Sequence, residues 1–171
     1  MDNDLQNKEN AKPEQNQVQG PILTVLTQYL KDFSFENPKG AENFTGQASP
    51  TGTIKVDVKV KPANQTDIEV SLLLTVESKN GDTPIYVTEI DYAGLFRVGQ
   101  VPQESVLPIL MIEAPRLLFP FARNLIALIT QNAGFAPLFI NPIDFAALFR
   151  QKREEILRQQ QEANNGGGLL V

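Results

Sequence analysis

The segment from Ala114 to Phe149 is the most apolar part of the chain, and it limits the possible folds more than any other stretch. Pro115 suits the first turn of a helix, because the N–H group that proline lacks would have no partner there. Apolar residues then recur at spacings of three and four, which predicts a helix over residues 115–130. The recurring positions are Leu117, Leu118, Phe121, Leu125, Leu128 and Ile129.

The predicted helix is apolar almost all round, because Ile126 and Ala127 fall on its remaining faces. Such a helix must be covered on more than one side. A small domain offers it one sheet face, so we expect a second subunit to supply the rest of the cover. Pro120 is expected to kink this helix or to mark where its regular part begins.

Two short segments delimit the helices of this region. Residues 132–134 are Asn-Ala-Gly, which is typical of a helix C-terminus. Residues 141–144 are Asn-Pro-Ile-Asp and predict the start of a second helix, expected over residues 142–160. The loop over residues 135–140 is apolar, whereas most loops are polar. Its side chains either cap the core or line a hydrophobic groove, and both interpretations stay open.

The first part of the chain predicts four β-strands. Residues 54–61 alternate strictly between apolar and polar side chains, which is the strongest strand pattern here. Similar patterns cover residues 67–77 and 83–96, and the Asn80–Gly81 pair between them favours a hairpin turn. Residues 25–36 alternate less regularly, so a strand is favoured and a helix is the alternative for their first half.

These patterns together predict an α+β fold, in which a four-stranded antiparallel sheet is followed by a long helix and a C-terminal helix laid on one face. A short helix over residues 102–113 is expected ahead of the long one. Composition divides the chain into a polar N-terminal tail expected to be disordered (residues 1–19), one domain (residues 20–160) and a flexible C-terminal tail (residues 161–171).

Composition also limits the function. The chain of 171 residues has no His and no Cys, which excludes Ser–His–Asp and Cys–His catalytic sites and the usual zinc sites. The net charge of −5 argues against nucleic-acid binding. The N-terminus has no apolar signal core, and no charge-free apolar run of about 18 residues predicts a membrane span. A cytosolic location is the simplest expectation.

Several motifs resemble those of the SecB family of bacterial protein-export chaperones. Residues 31–36 (Lys-Asp-Phe-Ser-Phe-Glu) resemble the family's first strand, and residues 94–96 (Gly-Leu-Phe) resemble the end of its fourth strand. Residues 115–123 are similar to its main helix motif, and residues 135–138 and 142–149 are similar to its closing segment. The resemblance covers roughly residues 22–160.

The resemblance implies an ATP-independent chaperone that works in the cytoplasm as a homotetramer, a dimer of dimers with its long helices between two sheets. Such a chaperone holds secretory precursor proteins unfolded and passes them to the translocation ATPase SecA. The resemblance also implies that the chaperone itself needs no nucleotide and no metal. Together with the composition, this predicts no cofactor, no catalytic activity, no nucleic-acid partner and no insertion into a membrane.

By position, the resemblance assigns two surfaces. The family's acidic SecA-docking surface corresponds to Asp32, Glu36, Val87 and Glu89, and strand alternation places each strand's two residues on one face. Subunit contacts correspond to Thr88, Ile90 and Tyr92 on the opposite face of the fourth strand. The apolar faces of the long helix add Leu118, Phe121, Leu125 and Leu128 to the predicted interface.

Client binding is expected to be hydrophobic, because a groove lined by aromatic and aliphatic side chains holds apolar segments of an unfolded chain without reading their sequence. The candidate lining residues are Ile54, Val56, Val58, Phe135, Leu138, Phe139, Phe145 and Phe149. Each of them could instead belong to the core, and for Phe145 and Phe149 the core is the safer interpretation.

Three other functions compete with the export chaperone. A carrier would enclose one small apolar ligand and ignore unfolded proteins. A SecB-like chaperone could serve a single client such as an antitoxin, although the acidic residues Asp32, Glu36 and Glu89 favour the export role. A carboxylate-based enzyme is disfavoured because the chain has no His.

Overall fold

The computed structural model describes residues 20–45 and 51–166. The predicted N-terminal tail lies outside these ranges. The four predicted strands are present as β1 (Leu23–Glu36), β2 (Thr51–Pro62), β3 (Asp67–Asn80) and β4 (Thr83–Val98). They form one antiparallel sheet in the order β1-β4-β3-β2, which confirms the predicted sheet.

Strand β1 is a strand throughout, so the helical alternative for its first half is wrong. Its register against β4 shifts between Val25 and Thr27 and again between Leu30 and Asp32. A bulge adds a residue to one strand and reverses the face on which the following side chains lie. The irregular alternation in the sequence is therefore the pattern of a bulged strand.

The hairpin between β3 and β4 has the predicted two-residue turn. Asn80 pairs with Thr83, and Gly81 between them has φ of 59°. Glycine adopts this left-handed conformation without steric cost, because it has no Cβ. The turn residues are Gly81 and Asp82, and the register of the two strands shifts once, between Ser78 and Lys79.

The helical part of the chain differs from the prediction at the point where the short helix meets the long helix. Helices α1 (Gln103–Pro108) and α2 (Ala114–Asn132) join through a π turn over Ile109–Glu113. In this turn the Ala114 N–H donates to the Ile109 carbonyl. Pro115 has no N–H for the Met111 carbonyl, so the regular hydrogen-bond pattern cannot run through the junction. Helix α2 begins at Ala114 and continues through Pro120, so Pro120 does not mark the start of its regular part.

Helix α3 (Phe145–Gly166) begins three residues later and ends six residues later than predicted. Asp144 precedes it as the capping residue, and its Oδ1 accepts a hydrogen bond of 2.9 Å from the Ala147 N–H. This bond holds the pKa of Asp144 below its ordinary value. Residues 161–166, predicted as part of a flexible tail, belong to this helix.

The core lies between one face of the sheet, which we call the inner face, and the helices. Ala114, Leu118, Ala122 and Ile126 follow each other at four-residue spacing along α2, and all are fully buried against this face. The opposite, outer face carries no helix among the described residues. The largest fully buried side chains are Phe96, Phe145, Leu72, Leu74, Ile90, Leu118 and Ile126.

The continuous helical stretch Gln103–Asn132 is 30 residues long and, by length and composition alone, is apolar enough to cross a membrane. The sequence predicts no membrane span here, because it has no charge-free apolar run of about 18 residues. Only 33% of the most apolar window of the helix is buried within the protomer, because the sheet covers a single side of it. An apolar helix with so little of its surface buried needs further cover, as its sequence pattern predicts.

Candidate functional site

The first candidate site is an open cavity of about 590 Å³ near the end of α2, which we call the aromatic groove. Ile54 of β2 forms one wall, and Phe135 and Leu138 of the following loop form another. The sequence analysis placed these three residues in one groove, and the structure brings them together. The full lining is Asn43, Gly52, Ile54, Val76, Ser78, Ile85, Tyr86, Phe135, Ala136, Pro137 and Leu138.

Four aromatic rings form a continuous row, and the middle two, Tyr86 and Phe135, line this groove. The ring centroids of Phe35 and Tyr86 are 5.5 Å apart, and those of Tyr86 and Phe135 are 5.0 Å apart. Phe44, from a short 3-10 helix over Gly40–Phe44, lies 5.0 Å from Phe135. Offset aromatic pairs at these distances stabilise one another and give the groove a rigid apolar wall. Sequence reasoning missed Phe44 and Tyr86, because they come from distant parts of the chain.

A buried threonine holds the loop in place over the groove. Thr130 is fully buried near the end of α2, and its hydroxyl donates to the Ile126 and Ala127 carbonyls. The same oxygen accepts a hydrogen bond of 3.0 Å from the Leu138 N–H. Gly134, with φ of 89°, lets the chain reverse directly after the helix. The apolar loop is therefore fixed by hydrogen bonds of its backbone, and its side chains are left to line the groove.

The second candidate site is an open apolar cavity of about 700 Å³ between α3, β2 and the start of the long helical stretch, which we call the helix groove. Phe149 lies here and not in the aromatic groove. The charged side chains of Glu104, Lys152 and Arg153 stand at its rim. Its apolar lining residues are Val58, Val60, Leu107, Pro108, Met111, Phe149, Ile156 and Leu157.

The remaining residues that were predicted to line a client groove lie at different places in the structure. Phe145 is 1% exposed and packs edge-on against Phe119, so it is a core residue and cannot contact a client. Val56 lines a smaller cavity of about 420 Å³ beside α3. Phe139 is largely exposed, with the Arg123 guanidinium 5.5 Å from its ring centroid. Val58 is 2% exposed and contributes little surface to the helix groove.

The four predicted docking residues lie together on the outer face, in what we call the acidic patch. Glu36 of β1 is directly opposite Val87 of β4, and Ser34 beside it is opposite Glu89. Asp32 is opposite Asp91, a carboxylate that the sequence analysis did not select. Among the described residues, none of these four carboxylates forms an ion pair. The exposed carboxylates of Asp32, Glu36 and Glu89 are thus available to a basic partner.

Three of the predicted subunit contacts are corrected by the structure. Thr88, Ile90 and Leu118 are buried within the protomer, where β4 meets α2. Thr88 also donates a hydrogen bond of 2.8 Å to the Ser34 carbonyl of the neighbouring strand. Their side chains stabilise the fold of one protomer and have no surface to offer to another.

Other members of the predicted interface do present apolar surface. Phe121 and Leu128 of α2 are 52% and 45% exposed, and Phe121 stacks on Tyr92 at 6.0 Å. Leu125 is half buried beside them. Leu30 and Phe33 of β1 extend the same inner side of the sheet and are also exposed. The result is a contiguous apolar surface outside both grooves.

Comparison with known proteins agrees with the geometry. The profile of the SecB family, described as preprotein translocase subunit SecB, matches residues 15–156. The protein-export protein SecB of Agrobacterium fabrum is 46% identical over 145 residues, which cover 82% of this chain and 91% of that protein. The protein-export protein SecB of Xanthobacter autotrophicus is 43% identical over 148 residues, covering 86% of this chain and 94% of that protein.

A solved structure shares the fold. A SecB-like chaperone of Mycobacterium tuberculosis, solved in complex with a ChAD peptide from the HigA1 antitoxin, superposes with a TM-score of 0.58. The match covers 71% of this chain and 90% of that one at 14% sequence identity, so the likeness concerns the fold alone. The family profile and these relatives define the chain as a chaperone of protein export. The chain belongs to the SecB family.

Proposed function

We propose that this chain is a cytoplasmic, ATP-independent chaperone that binds unfolded secretory precursors in the aromatic groove and the helix groove. The observation that carries the proposal is a row of four rings whose middle two, Tyr86 and Phe135, line an open apolar cavity. An unfolded segment offers apolar side chains in no fixed order, and an aromatic wall binds them by contact area. A folded protein has buried such segments and offers little to bind.

The experiment compares one slow-folding precursor in its unfolded and folded forms, at equal concentration and without ATP. The proposal expects binding to the unfolded form alone. Leu138→Ser, which places a hydroxyl in the aromatic groove, is expected to weaken this binding, whereas Leu26→Ser on the exposed part of β1 serves as the matched control. Binding to neither form of the precursor would contradict the proposal.

Delivery to SecA is assigned to the acidic patch. Asp32, Glu36 and Glu89 lie on one flat face, opposite the helices, so a partner can reach them while a client occupies either groove. Unpaired carboxylates attract a basic protein surface and speed its encounter, and salt weakens this attraction. SecA binding is accordingly expected to fall as the salt concentration rises.

One of the two interfaces that a dimer of dimers needs is assigned to the apolar surface formed by Phe121, Leu128, Leu30 and Phe33. A soluble protein rarely leaves an apolar surface of this kind uncovered. A second copy of the chain covers it with the same residues, because such an interface is self-complementary. This arrangement also explains why a helix with the length and composition of a membrane span is compatible with a cytoplasmic protein.

The single-client alternative receives support from the structural neighbour, which was solved with an antitoxin peptide. That neighbour is 14% identical to this chain, whereas relatives named protein-export protein SecB are 43–47% identical. The general export role is therefore favoured. A small-ligand carrier would bind one apolar compound in a fixed ratio and would not compete with unfolded precursors for the grooves.

A further inference from the structure

Lys31 of β1 has no opposite residue in the pairing of β1 with β4. Leu30 is opposite Tyr92. The next paired residue is Asp32, opposite Asp91, so two steps along β1 match one step along β4. Lys31 is therefore the extra residue of a β-bulge, and the strand pairing alone does not fix its position. Because Asp32 of the acidic patch follows it directly, whatever holds Lys31 also influences the placement of Asp32.

The carboxylate of Glu69 reaches the bulge from β3, two strands away. Its Oε1 lies 2.5 Å from the Lys31 ammonium, and its Oε2 accepts a hydrogen bond of 2.5 Å from the Tyr29 hydroxyl. Ala93 of β4 is opposite Tyr29, and its small side chain leaves room for a contact that crosses the strand. Glu69 therefore binds the bulge residue with one oxygen and a residue before the bulge with the other. We call Tyr29, Lys31 and Glu69 the bulge cluster.

The bulge cluster is better shielded than an ordinary surface ion pair, because the Glu69 side chain is only 20% exposed. Its hydrogen bond to Glu69 raises the pKa of Tyr29 to about 12. The Lys31 ammonium, followed by the Tyr29 hydroxyl, lowers the pKa of Glu69. Around neutral pH the three groups thus keep the protonation states in which these two contacts form.

Lys31 also neighbours two like charges. Asp32 and Asp91 are directly opposite each other, an arrangement in which carboxylates repel. The hydrogen bond to Glu69, and after it the field of Glu69 and of Asp91, raises the pKa of Lys31. The ammonium therefore offsets part of the repulsion that acts on Asp32.

We propose that Glu69 is a positioning residue for the acidic patch: through Lys31 it holds the bulge, and with it Asp32, in one arrangement. The proposal rests on the assignment of the acidic patch to SecA docking. A docking surface that is already ordered loses less conformational entropy when its partner binds. Without the contact to Glu69, the partner itself would have to order the bulge, and its affinity falls.

Lys31→Met separates positioning from simple charge, because the two effects have opposite signs. Removal of a positive charge beside the patch would, by attraction alone, strengthen the binding of a basic partner. The proposal instead expects SecA binding to weaken about fivefold in titration calorimetry. Lys55→Met is the matched control, since Lys55 also pairs with an outer-face carboxylate, Glu77, but is directly opposite Thr75 in regular pairing. This control is not expected to weaken SecA binding.

Glu69→Ala tests the same contact from its other side. It is expected to weaken SecA binding as much as Lys31→Met does, and the double variant no further, because both changes break one contact. Additive losses would show that SecA contacts the two side chains directly and would overturn the proposal. Glu77→Ala is the charge control, because it removes a carboxylate opposite Val87 of the patch. An equal loss in this variant would mean that charge alone explains the effect of Glu69→Ala.

A measurement without SecA keeps the positioning role separate from the docking assignment. In NMR relaxation of the full chain, the Asp32 amide is expected to become more mobile in Lys31→Met, and the Glu89 amide is not. An Asp32 amide as rigid as in the unchanged chain, or a tighter SecA complex, would overturn the proposal. A mobile Asp32 amide together with unchanged SecA binding in Glu89→Lys would contradict the docking assignment and leave the positioning of Asp32 by Glu69 in place.

Discussion

Gly94 lies directly beneath Leu118, where helix α2 crosses the sheet. A Cβ atom at Gly94 would be 3.0 Å from Leu118 Cδ2 and 2.7 Å from Phe96 Cε2. Both neighbours are fully buried, so neither can move aside cheaply. The glycine is therefore the position at which the helix can approach the strand closely.

Gly94→Ala is expected to destabilise the protein by about 1–3 kcal/mol, because the added methyl group overpacks the core. The measurement is the free energy of unfolding from urea titration. Gly52→Ala is the matched control in β2 of the same sheet, since a Cβ there meets only the Glu77 carbonyl at 3.8 Å. Equal stabilities of the two variants would contradict the close approach at Gly94.

Thr130→Val removes the hydroxyl and keeps the shape of the side chain. The Leu138 N–H then loses its acceptor, which is expected to cost about 1–3 kcal/mol of stability and to loosen the aromatic groove. Urea unfolding and binding of an unfolded precursor measure the two effects. Thr45→Val removes a comparable hydroxyl bond at an exposed site and is expected to change neither. Unaltered precursor binding in Thr130→Val would mean that the loop is held by other contacts.

Asp67 makes stability depend on pH in the acid range. The Arg97 guanidinium, followed by the Asn64 amide, lowers the pKa of Asp67 from 3.8 to about 2. Because the pKa of Asp67 is lowered in the folded state, its contribution to stability is complete above the unfolded-state pKa of 3.8. This contribution is lost as the pH falls from 3.8 towards 2. Asp67→Asn is expected to flatten the pH dependence of the unfolding midpoint in this window. An unchanged slope of the unfolding midpoint against pH would show that Asp67 is not the source of this pH dependence.

Glu89→Lys is expected to weaken SecA binding about tenfold or more, because it replaces an attractive charge in the acidic patch by a repulsive one. Unfolded precursors should bind as before, since both grooves lie elsewhere. Glu104→Lys makes the same change in net charge on α1 and serves as the control. Titration calorimetry with SecA measures the effect, and equal affinity of both variants would argue against the patch.

Phe121→Glu is expected to dissociate the assembly, because a charge replaces a large side chain at the centre of the exposed apolar surface. Light scattering measures the mass, and the unchanged chain is expected at about four times 18.9 kDa. Phe139→Glu alters an equally exposed phenylalanine on the loop and should leave the mass unchanged. A wild-type mass near one chain would overturn the tetramer.

The sequence predicted the elements well wherever one physical pattern dominated. Strict alternation identified β2, and the Asn80–Gly81 pair identified the hairpin. At β1 it favoured the strand but left a helix open for the first half, because two bulges break the period of two that the strand pattern needs. It failed at the start of α3, where Pro142 suggested a first turn but Asp144 provides the cap.

The candidate sites were only partly predictable. Strand parity placed Asp32, Glu36, Val87 and Glu89 correctly relative to their own strands, and only the register shows that they form one patch. Thr88 and Ile90 belong to the core because α2 covers that face of β4, which no local pattern reveals. Tyr86 reaches the aromatic groove, and Phe44 packs against its wall residue Phe135, through tertiary packing alone.

Strand β2 connects the two grooves. Ile54 lines the aromatic groove and Val60 lines the helix groove, and six residues of extended strand separate them by roughly 20 Å. An unfolded chain that spans this distance can hold both at once, and its second contact then forms at a high effective concentration. Each groove can bind weakly and exchange its segment rapidly while the whole chain stays attached. A client held in this way can be withdrawn one segment at a time, without any single tight contact having to break.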